Sequence, residues 1–133
     1  DIPVPEIMEK KRNLVLIVDD DIETVEEYSD ALAGLGFDLD YALDGFEAGM
    51  KVYREKPDAI ILDFKMPGMD GFQVCEILSR DQETRDTPII AVTVLSSEKE
   101  VKKIKNCGVK NYLPKPVDMD RLIAILKKLF AVS

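Results

Sequence analysis

The stretch Ala59-Ile60-Ile61-Leu62-Asp63-Phe64-Lys65-Met66-Pro67-Gly68-Met69-Asp70-Gly71 decides the fold. Its first four residues are apolar without interruption, the pattern of a short strand buried on both faces. Asp63 ends the run. Residues 64–71 then carry Pro67-Gly68 and Asp70-Gly71, which read as a stiff, turn-rich loop. A strand covered on both sides requires helices on both faces of a parallel sheet, so the flanking sequence should alternate strand with helix.

Reading outward, it does. Towards the N-terminus, Leu14–Val18 is a second apolar run. Ile22, Val25, Tyr28, Leu32 and Leu35 follow at helical spacing and meet a stop signal at Gly34 and Gly36. Leu39–Ala42 is a short strand, and Asp44 with Glu47 forms a capping-box pattern opening a helix to about Arg54. Towards the C-terminus, Phe72–Arg80 reads as a helix with Val74, Cys75 and Leu78 inward, and Ile89–Val94 as a third buried strand. Ser97 and Glu100 form another capping box for a helix lined by Val101 and Ile104 and ended by Gly108. Val109–Leu113 is the last strand. Asp118 caps a final helix whose Leu122, Ile125, Leu126 and Leu129 share one face. The pattern is (βα)5, an α/β domain with a five-stranded parallel sheet.

Length and composition agree with one soluble globular domain. The chain has 133 residues, 46% hydrophobic and 33% charged. Residues 1–13, with Pro3 and Pro5, read as a linker or leader, in which Met8 is a candidate start; residues 14–131 read as the domain. The longest purely apolar runs, Leu14–Val18 and Leu122–Leu126, are far short of the ~18 residues of a membrane span, so no membrane insertion is expected. No basic-then-apolar leader opens the chain, so a signal peptide is not expected. Cys75 and Cys107 read as small buried apolar residues in a reducing, cytoplasmic compartment. There is no histidine. That removes nucleophile triads with a histidine base and histidine-rich metal sites, and any phosphohistidine must come from a partner.

Charge divides along the chain. Residues 1–96 hold 9 Lys+Arg against 22 Asp+Glu, and residues 97–133 hold 9 against 4. The acidic body argues against direct nucleic-acid binding, which depends on phosphate neutralisation. The basic last third reads either as a solvated helix face or as an interaction surface.

The strand ends carry the chemistry. The first strand ends in Asp19 and Asp20, the third in Asp63, the fourth in Thr93 and the fifth in Lys115, followed by Pro116. In an open doubly wound sheet, function collects outside the carboxyl ends of the strands at the switch point. In a 2-1-3-4-5 order the first and third strands flank that point. Singly, each residue has a bland reading: a helix cap, a strand-forming threonine, an exposed lysine. Together they are five polar residues on one edge of the sheet. Three carboxylates repel unless a counter-charge is present. Lys115 and a divalent cation are the natural ones, and an all-oxygen site with few protein donors suits Mg²⁺. A carboxylate beside Mg²⁺, a lysine and a hydroxyl is a site for phosphoryl transfer. The turn after the first strand reads Asp19-Asp20-Asp21 and lacks glycine, which excludes dinucleotide and P-loop readings.

These motifs resemble those of the receiver domain of two-component response regulators over residues 14–130. Leu16-Ile17-Val18-Asp19-Asp20-Asp21 is similar to the family's acidic pair, and residues 60–71 to its phosphoacceptor motif. Ile89-Ile90-Ala91-Val92-Thr93 and Tyr112-Leu113-Pro114-Lys115-Pro116 are similar to its last two motifs. The resemblance implies a flavodoxin-like doubly wound sandwich of strand order 2-1-3-4-5. It implies that Asp63 is the phosphoacceptor and that Asp20, Asp63 and the Lys65 backbone carbonyl hold Mg²⁺, with Asp19 acting directly or through water. It implies that Lys115 and Thr93 grip the phosphoryl oxygens, that Tyr112 turns inward as a switch with Thr93, and that Lys115–Pro116 is cis. The implied partner is a histidine kinase or histidine phosphotransfer protein. A phosphorylation-dependent homodimer or an output partner would meet the fourth helix, fifth strand and fifth helix. At two positions the chain is distinctive. Val94 stands where the family prefers a smaller residue, which would narrow the approach to Asp63. The Lys65 ammonium either steadies the acyl phosphate or faces water.

Two rivals compete. A haloacid-dehalogenase-like phosphatase also uses aspartate, threonine, lysine and Mg²⁺, and Asp19-Asp20-Asp21 supplies its Asp-x-Asp. It needs an acidic pair after a strand beyond the lysine, however, whereas Asp118 and Asp120 read as first-turn capping residues of a helix. The other rival is a receiver-like module that is never phosphorylated, although every residue for phosphorylation is present.

Overall fold

The computed structural model describes residues 13–66, 68, 71–94 and 97–130. The leader 1–12, Ala131, and Pro67, Met69 and Asp70 of the loop after Asp63 lie outside the described residues. Five strands, β1 (Leu14–Val18), β2 (Asp38–Ala42), β3 (Ala59–Asp63), β4 (Ile89–Thr93) and β5 (Asn111–Pro114), alternate with five helices. These are α1 (Ile22–Leu32), α2 (Gly45–Glu55), α3 (Gly71–Ser79), α4 (Glu98–Asn106) and α5 (Met119–Leu129). All strand pairings are parallel, in the order β2-β1-β3-β4-β5.

The unbroken apolar strands follow from this layering. Side chains alternate across a strand, so each run feeds two cores. Leu16, Val18, Ile60, Leu62 and Ala91 meet Ala48, Val52, Val74, Cys75 and Ile104 on one face. Val15, Ile17, Ile61, Ile90, Val92 and Leu113 meet Val25, Tyr28, Leu32, Leu122 and Leu126 on the other. The two edge strands, β2 and β5, each have a single buried residue, Ala42 and Leu113.

The caps sit where their residue types place them. Asp21, Asp44, Ser97 and Asp118 cap α1, α2, α4 and α5, each accepting from backbone N–H groups two or three residues on. Element ends shift by up to three residues from the sequence reading: α1 stops at Leu32, and Leu35 lies beyond it, exposed. The last strand begins at Asn111, paired with Ile90, rather than at Val109. Gly108 turns the chain at φ +91°, and Val109 is buried as an anchor in the core without joining the ladder. The fourth strand stops at Thr93, and Val94 beyond it is exposed.

Candidate functional site

The sheet delivers Asp19, Asp63, Thr93 and Lys115 to one edge because β1, β3, β4 and β5 are adjacent and in parallel register. Asp19 directly follows β1 and is 1% exposed; its N–H donates to the Ala42 carbonyl at 3.1 Å, continuing the β1–β2 pairing. Its carboxylate accepts from the Asp21 N–H at 2.9 Å. Asp63 closes β3, is 4% exposed and accepts from the Lys65 N–H at 3.0 Å. Asp20 is exposed. Carboxylate oxygens of Asp19, Asp20 and Asp63 lie within 4.8 Å of one another.

Lys115 is held by its backbone, whose N–H donates to the Thr93 carbonyl at 2.9 Å. Its Nζ reaches Asp63 Oδ2 at 3.3 Å and Asp19 Oδ2 at 3.4 Å. One ammonium thus serves two buried carboxylates. Burial holds the Asp19 carboxyl above its ordinary pKa, and repulsion from Asp63 adds to this; the Asp21 N–H and Lys115 oppose it only in part. Burial by itself would lower the Lys115 pKa, but the attraction of Asp63 and Asp19 outweighs it and raises the value. Three carboxylates facing one ammonium leave an excess of two negative charges, which fits a divalent cation on an all-oxygen donor set.

Thr93 is 3% exposed, and its hydroxyl donates to the Val94 carbonyl at a long 3.4 Å. Tyr112 is half-buried and paired with Ala91. Ala91 and Thr93 are two residues apart on β4 and share a sheet face, and Tyr112 packs against the same core cluster as Ala91. The Lys115–Pro116 peptide is cis. All the described site residues named from the sequence therefore come to one edge, except that Tyr112 stands one step behind it.

The loop after β3 is fixed by packing. The Phe64 N–H donates to the Val92 carbonyl at 3.0 Å, and its carbonyl accepts from Gly71 at 3.3 Å. Phe64 is buried and meets Phe72 edge to face at 5.0 Å. Gly71 lies directly against the Phe64 ring, where a Cβ would collide with ring carbons. The Lys103 ammonium lies over the Phe72 ring at 4.5 Å, linking the start of α3 to α4. Sequence reasoning missed a second link: Lys65 Nζ pairs with Glu100 Oε2 at 3.5 Å, so its ammonium faces a carboxylate. The only sequence signal was the capping pattern that put Glu100 in the first turn of α4.

Comparisons with known proteins agree with this geometry. The family described as "Response regulator receiver domain" matches residues 15–127. The "DNA-binding dual master transcriptional regulator RpaA" of Synechocystis is 34% identical over 115 residues, covering 86% of this chain and 48% of that protein. The "Response regulator MprA" of Mycobacterium leprae is 36% identical over 115 residues, covering 86% and 50%. The chain spans about half the length of the curated relatives it matches. Among solved structures, the Vibrio cholerae chemotaxis protein CheY4 superposes with a TM-score of 0.83 at 30% identity, covering 90% of this chain and 99% of that one. The receiver domain of a Syntrophus aciditrophicus histidine kinase superposes with a TM-score of 0.82 at 30% identity, covering 90% of each. The shared fold, the matched family and the acidic edge with its lysine lead to one conclusion: the chain belongs to the response regulator receiver domain family of two-component signal transduction.

Proposed function

We propose that Asp63 is the phosphoacceptor and that the edge described above performs the transfer. The observation that carries this is the buried Asp63 carboxylate, fixed on one oxygen by the Lys65 N–H and on the other by Lys115. An Asp63 oxygen attacks the phosphorus of a partner's phosphohistidine. The P–N bond breaks, and the imidazole leaves with the bonding pair and takes up a proton. Asp19, Asp20, Asp63 and the Lys65 carbonyl would hold Mg²⁺, which supplies charge neutralisation for the phosphoryl oxygens. Lys115 binds one of those oxygens, and the Thr93 hydroxyl exchanges its long bond to Val94 for another. In this reading the protein catalyses only its own aspartyl phosphorylation and dephosphorylation.

A haloacid-dehalogenase-type phosphatase is not favoured. Asp118 spends its carboxylate capping α5 through the Asp120 and Arg121 N–H groups, and that reading leaves Asp63, held by Lys115 and the Lys65 N–H, without a role. A receiver-like module that is never phosphorylated is not favoured either, because Asp19, Asp20 and Asp63 cluster and Lys115 pairs with two of them.

The donor is a histidine kinase or histidine phosphotransfer protein in the cytoplasm. It would approach over α1, which borders the site and exposes Glu23, Glu26, Glu27 and Asp30. No described helix is long and apolar enough to cross a membrane. The output surface is α4-β5-α5, where Lys105, Lys110 and Arg121 line a single groove of about 420 Å³ beside Tyr112 and Ile125. That groove suits a second copy of the domain or an acidic output partner. RpaA is named as DNA-binding; we assign no nucleic-acid contact to residues 14–131 themselves, whose body is acidic.

The test is incubation with Mg²⁺ and acetyl phosphate, followed by intact-mass spectrometry. A labile phosphoryl adduct is expected on the wild type and none on Asp63→Asn. Sustained phosphate release without an adduct, or an undiminished adduct on the variant, overturns the assignment.

A further inference from the structure

We propose that Cys75 and Cys107 are a thiol pair that closes to a disulfide and thereby ties α3 to α4. The consequence for signalling rests on the reading of α4 as a moving element of the switch. Cys75 lies on α3 and is 3% exposed, and Cys107 is the half-buried residue that ends α4. The two thiols come from different helices, yet both side chains border the same space between α3 and α4. They pack in the same core cluster and line one cavity of about 290 Å³, together with Arg85, Pro88 and Lys110. Cys107 Sγ also donates to the Lys103 carbonyl at 3.2 Å, which holds the sulfur at the end of the helix. Sequence reading treats each cysteine as a small core residue; only the tertiary structure makes them neighbours.

The chemistry requires a low-molecular-weight disulfide such as glutathione disulfide. The more accessible Cys107, as thiolate, attacks one sulfur of it, and glutathione thiolate leaves. Cys75 then attacks the Cys107 sulfur of the mixed disulfide and expels the second glutathione, to which its proton passes. Two electrons move from the cysteines to the glutathione sulfurs, and one protein S–S bond replaces one small-molecule S–S bond. Burial raises the Cys107 pKa, with neighbouring Cys75 and Lys103 opposing it only in part, so exchange is slow at neutral pH. The product joins the helix that follows the phosphoacceptor loop to the C-terminal end of α4. A phosphoryl-driven displacement of α4 is then confined.

The full chain is equilibrated in glutathione disulfide or in reduced glutathione, desalted, and examined by intact mass and peptide mapping. Amide NMR shifts on adding beryllofluoride and Mg²⁺ are then recorded. We expect loss of the mass of two hydrogens, a Cys75–Cys107 cross-linked peptide, and α4 shifts at least halved relative to the reduced protein. Cys107→Ser, or Cys107→Ala should the first not fold, should retain the full response after the same treatment. Two alkylatable thiols after equilibration, or only mixed glutathione adducts, overturn the pair. A disulfide-bonded protein that responds like the reduced one overturns its effect on the switch. A reduced protein whose α4 ignores beryllofluoride overturns the switch reading beneath it, while the mass readout judges the thiol pair separately.

Discussion

Lys65 and Glu100 form an ion pair, Nζ to Oε2 at 3.5 Å, that ties the loop after Asp63 to the first turn of α4. The same loop is tied to Asp63 by the Lys65 N–H. A phosphoryl group on Asp63 adds about two negative charges within reach of this residue and so competes with Glu100 for its ammonium. The ion pair is therefore an electrostatic link between the proposed phosphorylation site and the proposed moving helix.

Removing the competitor should favour the phosphorylated state. Glu100→Gln is expected to tighten beryllofluoride binding about two- to threefold, the scale of a half-exposed ion pair of about 0.5 kcal/mol. The urea midpoint should change little. Unchanged or weaker binding, measured by titration in Mg²⁺, would show that Lys65 does not turn towards the phosphoryl group.

The acidic edge should cost stability when no cation is bound. Asp19 is held above its ordinary pKa by burial and by Asp63. A group whose folded pKa is raised binds protons more tightly when folded, so stability falls as pH climbs from the ordinary carboxylate value through the raised one. Lys115, also raised, contributes stability that is present below its ordinary pKa and lost only as pH rises through the raised value. Between these windows Asp19→Asn removes repulsion, while Lys115 keeps Asp63. The variant should be more stable in metal-free buffer near neutral pH and lose the decline above about pH 4. Denaturant melts across pH check this; a destabilised variant would contradict the charge argument.

Gly71 should tolerate no side chain. A Cβ there would overlap the buried Phe64 ring, which is itself held against Phe72. Gly71→Ala is expected to lose about 1–3 kcal/mol, the usual range for overpacking. The displaced Phe64 should also disturb Asp63, its neighbour in sequence, so phosphorylation by acetyl phosphate should slow in the folded fraction. A urea midpoint equal to wild type would show that the ring moves aside freely.

What the sequence displayed was local. Leu14–Val18 and Ala59–Leu62 read as strands because they are unbroken apolar runs too short for a helix, and both of their faces are buried. Asp19, Asp63, Thr93 and Lys115 could be placed together because parallel strands deliver their ends to one edge. Val109 misled because burial and ladder pairing look alike in a sequence, and here they separate at the Gly108 turn. The Lys65–Glu100 ion pair and the placing of Cys75 and Cys107 around one cavity had no local signature. Each joins two helices or a loop and a helix, and their distance depends on how the layers pack.

The last expectation concerns which of three consecutive aspartates binds metal. Asp20 is exposed, and its carboxylate lies within 4.8 Å of those of Asp19 and Asp63. Asp21 is engaged elsewhere: its oxygens accept from the Glu23 N–H at 3.0 Å and the Thr24 hydroxyl at 3.1 Å, capping α1. Asp20→Ala removes a charged ligand and should weaken Mg²⁺ binding at least tenfold, about 1.4 kcal/mol. Asp21→Ala should cost about 1 kcal/mol of folding stability through the lost cap and leave Mg²⁺ affinity nearly unchanged. Calorimetric Mg²⁺ titration of both variants, each checked by a denaturant melt, separates the two roles. Equal losses of affinity would mean that the cap and the metal ligand are not distinct residues.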